Sequence, residues 1–375
     1  MSIQKTEGSA APVSAGSVSN RILEALASPG FVVTVAALTV LAHVLALEVV
    51  LYTLFAAVAV FVCLRGENLL PLVPLVVCSY IAPAPENNPG RSETSVFYPG
   101  HGGIWVICLG GAIVLAVVFF VWKHRQRFFR RKYRLLWGFL ALAGAYLLSG
   151  LGSKGYGAVA GKNLLFALCQ ALALLVPYLL ICGGVEWKST NTEYFAWTGF
   201  CVGGVLVCQI LWGYLRLGVV VDGVIRREML YTGWGMYNNM GGMLAMMIPF
   251  AFSLAARYRR GWLGTVVGSV FLVGVLLSCS RSSLLVGSLA YVGSFVTLLL
   301  SGRNRKEHTI TVITVVAVIL LVCLRYWQEL YRLFSGVLEK GLDPSDRDVI
   351  YREGLALFRQ APVFGTSFYS PGYEP

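Results

Sequence analysis

Arginine side chains are the residues of this sequence that are best suited to chemistry. A guanidinium is planar, remains charged and pairs bidentately with phosphate oxygens. Several arginines that converge on one face would therefore bind a diphosphate group. The candidates are the nine arginines from residue 216 onwards that are expected on the external side, namely Arg216, Arg226, Arg227, Arg281, Arg325, Arg332, Arg347, Arg352 and Arg359.

Arg281 is the strongest candidate because of its position between two long apolar runs. The segment Ser278–Ser283, of sequence SCSRSS, separates these runs, so we expect the guanidinium at membrane depth or just at the interface. An ionisable group in that position is costly and is by default a functional candidate. The alternative is that Arg281 snorkels to lipid headgroup phosphates.

The adjacent Arg226 and Arg227 stand between two carboxylates, Asp222 and Glu228. Positive charge on the translocated side of a membrane opposes the usual distribution of charge, which favours a functional use for this pair. The alternative is an interfacial anchor that is balanced by the two carboxylates.

Arg347 and Arg352 lie near the C-terminus and have different local partners. Asp348 precedes Arg352 by four residues, which is the spacing of an ion pair on one helix face. This spacing favours a solvated ion pair for Arg352 over a ligand contact. Arg347 has fewer competing charges nearby.

The composition indicates what kind of element must position these side chains. Of the 375 residues, 57% are hydrophobic and 13% are charged, whereas a soluble domain carries about 25% charge. This composition excludes a water-soluble protein and predicts an all-α polytopic transmembrane bundle. Apolar runs predict eleven spans, near residues 30–47, 49–64, 68–83, 103–122, 135–151, 163–182, 196–215, 239–256, 262–279, 283–300 and 310–324.

Three basic clusters predict the orientation of the bundle. Positive charge accumulates on the cytoplasmic side, and an even number of predicted spans separates successive clusters, so all three are expected on that side. The N-terminus is then cytoplasmic, and the 216–238 connection is external. Nearly all of the net charge of +12 falls on the cytoplasmic side, which removes the nucleic-acid interpretation of a basic protein. The clusters are Lys123–Arg134, Arg257–Arg260 and Arg303–Lys306.

The chain is predicted to have three parts. Residues 1–29 form a polar cytoplasmic tail, residues 30–324 form the bundle, and residues 325–375 form an external segment. Asp343–Asp346 (DPSD) is typical of a helix start and predicts an amphipathic helix at about 344–361, packed on the outer membrane face or on the bundle. No apolar run follows this helix, so the external segment looks incomplete.

The placement of cysteine and histidine favours neither disulfides nor metal binding. The nine cysteines lie in or at the ends of apolar runs without a CxxC pair, and we expect them to be small buried hydrophobes. The four histidines cannot form a metal cluster by their spacing, and His124 and His308 are expected to be solvated. We therefore expect no metal and no other cofactor.

Three blocks stand in a fixed order relative to the predicted spans. Gly235–Gly242 (GMYNNMGG) opens one span, Ser278–Leu284 (SCSRSSL) joins two spans, and a segment that begins at Arg347 and ends at Gly365 (PVFG) follows the last span. This arrangement resembles the O-antigen ligase and O-antigen polymerase family of bacterial membrane glycosyltransferases. Members often carry an Asn-rich opening, an SRG-like block and an Arg…Pro-x-x-Gly loop, and the resemblance covers about residues 195–370.

The resemblance implies a glycosyltransferase of surface polysaccharide synthesis in the bacterial cytoplasmic membrane. The donor would be a glycan linked to a polyprenyl diphosphate such as undecaprenyl diphosphate, and the glycan would be transferred or polymerised at the external face without nucleotide or metal. The partners would thus be this donor and the lipid bilayer, and not nucleic acid.

The family's diphosphate-binding arginines correspond by position to Arg281 and Arg347, with Arg226 or Arg227 as a looser match. Arg352 and the Asn-rich residues Asn238 and Asn239 are further candidates for binding the substrate. The acceptor hydroxyl also needs a proton acceptor. The available carboxylates include Glu228, which we take as the candidate, and Asp222, Asp346 and Glu353.

Two features depart from the family pattern. Ligase members carry a functional histidine late in the external loop and return through further spans, whereas no histidine follows His308 and no predicted span follows Leu324. The second glycine of the loop motif is replaced, because Gly365 is followed by Thr366. The missing histidine favours a polymerase over a ligase.

Two other interpretations stay open at this point. A secondary transporter or flippase for an anionic lipid or solute would have paired repeats and buried charges near mid-membrane. The predicted spans four to eleven contain almost no such carboxylate. The other interpretation is an inactive, truncated member of the same family.

Overall fold

The computed structural model describes residues 18–83, 103–151, 160–187, 189–232, 235–301, 304–338, 347–360 and 362. Within these ranges the chain is an all-α bundle. The helices are α1 (Val18–Leu26), α2 (Pro29–Leu45), α3 (Glu48–Arg65), α4 (Leu72–Ile81), α5 (Gly103–Lys123), α6 (Arg125–Arg130), α7 (Leu136–Leu151), α8 (Ala160–Gly184), α9 (Ser189–Arg216), α10 (Tyr237–Arg257), α11 (Trp262–Leu277), α12 (Arg281–Leu300), α13 (Arg305–Arg325), α14 (Trp327–Leu338) and α15 (Arg347–Gln360).

The helices follow the apolar runs of the sequence, and each of the eleven runs contains one helix. By length and composition, six helices within the described ranges can cross a membrane, namely α3, α8, α9, α10, α12 and α13. The pair α1 and α2 would be a seventh span if it is counted as one, although a bend of 69° separates its two halves. The apolar parts of α4, α5, α7 and α11 are shorter. The architecture is that of a membrane protein.

Two small hairpins follow α9 and precede α10. In the first, β1 (Val220–Val221) pairs antiparallel with β2 (Val224–Ile225), and in the second, β3 (Tyr231–Thr232) pairs with β4 (Gly235–Met236). A single 3-10 turn, Arg227–Met229, connects them. We call this end of the bundle the hairpin end, and the opposite end, where α10 reaches Arg257, the basic end.

The first hairpin has a turn that the sequence explains. Its two central residues, Asp222 and Gly223, have φ values of 52° and 77°. Asp-Gly is the preferred sequence for a two-residue hairpin turn with positive φ at both positions. Arg332 of α14 donates from Nη2 to the carbonyl oxygen of Asp222 at 3.3 Å. The neighbouring Leu333 and Phe334 pack on the core, so α14 lies across the hairpin end.

The core is centred on α10, which packs against α9, α11 and α12. One face of α10 is fully buried at Met240, Leu244 and Ile248. Small residues permit the close approach of neighbouring helices, as in other membrane bundles. A Cβ atom at Gly241 would overlap Ser278 Oγ and would stand 2.8 Å from Ser283 Cβ. Glycine at position 241 therefore allows α12 to pack closely on α10.

The short helix α4 ends inside the bundle. At 1.5 Å per residue its ten residues extend about 15 Å, half of a hydrocarbon core of about 30 Å. Its terminal carbonyls at 79–82 accept hydrogen bonds from Tyr52 Oη (3.0 Å), Gln209 Nε2 (2.6 Å) and His43 Nδ1 (3.2 Å). Since a carbonyl oxygen only accepts, His43 carries its proton on Nδ1 in this contact. Side chains of three helices thus satisfy the buried end of α4.

Two expectations about single residue types were wrong. His308 is buried rather than solvated, and its Nδ1 lies 3.0 Å from Thr265 Oγ1 because α13 packs on α11 at the basic end. All nine cysteines are free, but Cys108, Cys169 and Cys208 are exposed. They lie on outer faces of α5, α8 and α9, where an apolar surrounding accepts a thiol without burial in protein.

The two predicted terminal segments differ in part from the structure. Residues 1–17 lie outside the described ranges, but the rest of the predicted polar tail includes the helix α1. The predicted helix start at Asp343–Asp346 also lies outside them, and α15 covers Arg347–Gln360. Every side chain that is described on α15 is exposed, and therefore shows no packing on the bundle.

Candidate functional site

The turn between α11 and α12 positions Arg281. Ser280 is the N-cap residue of α12, with an extended backbone and a side-chain oxygen that accepts from the Ser283 N–H at 3.4 Å. Serine is a preferred N-cap because its oxygen satisfies one of the free N–H groups of the first turn. Arg281 is consequently the first residue of the helix, and its side chain is exposed at the hairpin end.

A chain of hydroxyl groups joins this turn to α10. Ser283 Oγ donates to the carbonyl oxygen of Asn238 at 3.1 Å. Ser280 Oγ lies 2.7 Å from Ser283 Oγ, and since the Ser283 proton is used at Asn238, Ser280 donates in this contact. The chain brings the first turns of α10 and α12 together. Two of the three sequence blocks, the Asn-rich opening and the SCSRSS segment, are therefore adjacent.

Arg227 lies at the start of α10. Its guanidinium carbon stands 4.9 Å from the ring centroid of Tyr237, the first residue of that helix, in a cation–π contact. The Arg227 side chain is half-buried, and that of Arg226 is exposed. The Arg226 backbone N–H donates to the carbonyl oxygen of Val219 at 2.7 Å, which closes the first hairpin.

The arrangement concentrates positive charge at one place. The N-terminus of a helix carries a partial positive charge from its free N–H groups, and the first turns of α10 and α12 adjoin. Arg281 belongs to one of these turns, and Arg227 stacks beside the other. Asn238 and Asn239 are exposed on the first turn of α10. Helix N-termini with arginine side chains are suited to bind phosphate groups.

The remaining candidates are not brought into this cluster by the described residues. The Glu228 backbone lies in the 3-10 turn, but its side chain is outside the described part of the chain, as is that of Arg347. Asp346 and Gly365 lie outside it entirely. Arg352 Nη2 is 2.9 Å from Asp348 Oδ2, so Arg352 forms the i,i+4 ion pair on an exposed helix face.

Three residues support the site, and two of them, Tyr214 and Tyr237, were not identified from the sequence. Tyr214 of α9 donates from its hydroxyl to the carbonyl oxygen of Leu277, the last residue of α11, at 2.6 Å. Arg332 donates to the turn of the first hairpin, and the Tyr237 ring contacts the Arg227 guanidinium. The serine before Arg281 was a recognisable N-cap signal, whereas nothing local to Tyr214 indicates a partner 63 residues away.

No group of three or more His, Cys, Asp or Glu side chains within the described ranges is arranged to hold a metal ion. Comparison of the chain with protein-family models, with curated proteins and with solved structures found no match.

Proposed function

We propose that the protein is a membrane glycosyltransferase of the polymerase or ligase type. It transfers or polymerises glycan from a polyprenyl-diphosphate-linked donor at the external face of the cytoplasmic membrane. The observation that carries this proposal is the junction of the first turns of α10 and α12 through Ser283 and Asn238, with Arg281 and Arg227 at the same junction. In this proposal the hairpin end is external and the N-terminus is cytoplasmic.

The chemistry requires stabilisation of a leaving diphosphate. Displacement at the anomeric carbon breaks the bond to the diphosphate oxygen, and negative charge grows on that oxygen. Cations that are already in position favour this transition state more than the ground state. Arg281 and Arg227 supply the fixed charge, and the free N–H groups of the two helix starts add hydrogen-bond donors.

The acceptor sugar and the lipid chain would approach from opposite directions. The polyprenyl chain lies in the bilayer beside the bundle, and the glycan lies above the hairpin end.

Attack by the acceptor hydroxyl releases a proton, which a carboxylate must take. Glu228 follows Arg227 directly, and Asp222 stands at the tip of the first hairpin, so both are available at this end. Arg226, Arg347 and Arg352 would contact the donor from the periphery.

Substitution of Arg281 tests the proposal. In a host strain that lacks its own copy, Arg281→Ala is expected to abolish polymer and to cause accumulation of the lipid-linked precursor. Arg281→Lys should keep part of the activity because it retains charge without the bidentate fork. Arg260→Ala, which removes an exposed cation at the basic end, is the matched control. Normal polymer length and amount in Arg281→Ala, with equal protein levels, would contradict the proposal.

A secondary transporter is the second candidate, and one observation favours it. Glu48 and His43 are both buried at the turn between α2 and α3, and ionisable residues buried in a membrane bundle often mark a transport path. Proteoliposomes distinguish the two candidates. Uptake of an anionic solute or lipid that is lost in Glu48→Gln, without any glycan transfer, would favour the transporter.

A further inference from the structure

The connection between α5 and α7 carries a surface that the proposed function does not use. Its sequence from Lys123 to Trp137, KHRQRFFRRKYRLLW, contains seven basic residues and no acidic residue. Six of these cations are exposed: Lys123, Arg125, Arg130, Arg131, Lys132 and Arg134. The preference of basic residues for the cytoplasmic side accounts for the cations of this connection. It does not account for the way in which they are arranged.

The seventh cation, Arg127, holds the connection to the bundle. Its Nη1 donates to the carbonyl oxygen of Glu67 at 2.8 Å and lies 3.7 Å from Glu186 Oε1. Tyr133 Oη donates to the carbonyl oxygen of Phe128 at 3.0 Å, and the Phe128 ring lies against Gly183 at the end of α8. The connection is therefore a fixed platform that presents the other six cations outwards.

Large apolar side chains stand among these cations. Phe129 is 88% exposed, Trp137 is 82% exposed and Leu135 is 64% exposed. The Arg125 guanidinium carbon lies 5.9 Å from the Trp122 ring centroid, so one cation covers a further aromatic ring. We call the six exposed cations together with Phe129, Leu135 and Trp137 the basic-aromatic surface.

We propose that the basic-aromatic surface binds anionic phospholipid headgroups, with Phe129, Leu135 and Trp137 inserted at the boundary between headgroups and acyl chains. Basic residues next to a membrane-spanning helix are attracted to anionic lipids, and aromatic rings prefer the membrane interface. The surface joins α5 to α7, so it lies between the ends of two apolar helices.

This position favours lipid over other polyanions. A nucleic acid or an acidic protein would pair with the cations and leave Phe129 and Trp137 in water, whereas a bilayer accommodates both kinds of side chain. Burial, and then the charges of Lys123 and Arg127, lower the pKa of His124 at this platform. The Glu186 carboxylate lies beside Arg127, the half-buried cation of this connection.

Native mass spectrometry of the full chain, in detergent micelles doped with phosphatidylglycerol or phosphatidylcholine, tests the proposal. We expect the protein to retain phosphatidylglycerol at least about fivefold more strongly, and Arg130→Gln/Arg131→Gln to lower this retention by about fivefold or more. Arg305→Gln/Lys306→Gln removes the same charge from the exposed first turn of α13 and should leave retention unchanged. Phe129→Ser should lower retention without a change of charge.

Three results would overturn the proposal. The first is equal retention of the two lipids by the unmodified chain, and the second is an equal loss in the Arg130/Arg131 and Arg305/Lys306 variants. The third is full displacement of phosphatidylglycerol by inorganic phosphate or by a short single-stranded oligonucleotide, which would indicate a site for soluble polyanions. These outcomes are independent of the glycosyltransferase proposal, because no readout depends on glycan transfer.

Discussion

The hydroxyl of Ser283 donates a hydrogen bond of 3.1 Å to the main-chain carbonyl oxygen of Asn238. This single contact joins the first turns of α12 and α10, two helices whose starting residues are 44 positions apart in the chain. Ser283 is buried, so its proton has few alternatives to this acceptor. The contact fixes the position of Arg281 relative to the Asn-rich start of α10.

Ser283→Ala should therefore destabilise the protein. It removes the bond to the Asn238 carbonyl and leaves Ser280 Oγ without the acceptor that lies 2.7 Å away. We expect a loss of about 1–3 kcal/mol, seen as a lower thermal unfolding midpoint in detergent. Ser282→Ala, an exposed neighbour, is the control. Equal midpoints for the two variants would show that the Ser283 bond contributes nothing.

Gly241 and Gly242 form a pair for testing the packing of α10 on α12. A Cβ at Gly241 would stand 2.8 Å from Ser283 Cβ, whereas one at Gly242 would meet Ser283 Oγ at 3.9 Å, an ordinary contact. We expect Gly241→Ala to cost about 1–3 kcal/mol. Gly242→Ala should be neutral or stabilising because alanine favours the helix. Thermal unfolding measures both, and an equal effect at the two positions would contradict the packing.

Cys279 has a backbone φ of 54° and is buried in the turn before Ser280. Few residues other than glycine adopt this conformation without strain, and β-branched residues adopt it least well. Cys279→Gly should therefore change stability little despite the loss of the side chain, and Cys279→Val should be clearly destabilising. Unfolding midpoints give the order. A valine variant as stable as the glycine variant would mean that this conformation is not maintained.

Tyr214→Phe tests a positioning residue. The change deletes the hydroxyl that donates to the Leu277 carbonyl at 2.6 Å and leaves the ring in place. Because the turn that follows Leu277 carries Arg281, we expect a loss of about 1 kcal/mol in stability and a fall in polymer formation. Tyr237→Phe, which keeps the ring under Arg227, serves as the comparison. Full stability and polymer formation in Tyr214→Phe would exclude this role.

Local features were predicted well from the sequence. The eleven apolar runs each contain a helix because burial of apolar side chains and internal hydrogen bonding are both satisfied by a helix in an apolar surrounding. The Arg352–Asp348 pair follows from spacing on one helix. The Asp222–Gly223 turn was not predicted, although it too is a property of two adjacent residues.

Contacts between distant segments required the tertiary structure. The hydroxyls of Ser283 and Tyr214 bind carbonyls 45 and 63 residues away, and Arg127 binds one 60 residues away. Every residue has a carbonyl, so the sequence contains no signal for which one is chosen. His308 was wrongly expected in solvent because the sequence does not indicate that α13 packs on α11. This packing is what buries the His308 side chain.

The sequence by itself determined that this is a helical membrane protein and where along the chain each apolar helix lies, because composition acts over a few neighbouring residues. It did not determine the helix ends, since α9 begins at Ser189 and α13 at Arg305, before the predicted 196 and 310. Only the tertiary structure decided that Arg281 and Arg227 stand at two adjoining helix starts. That arrangement depends on the close packing of α10 with α12 at Gly241, and such packing depends on the shape of both helices at once.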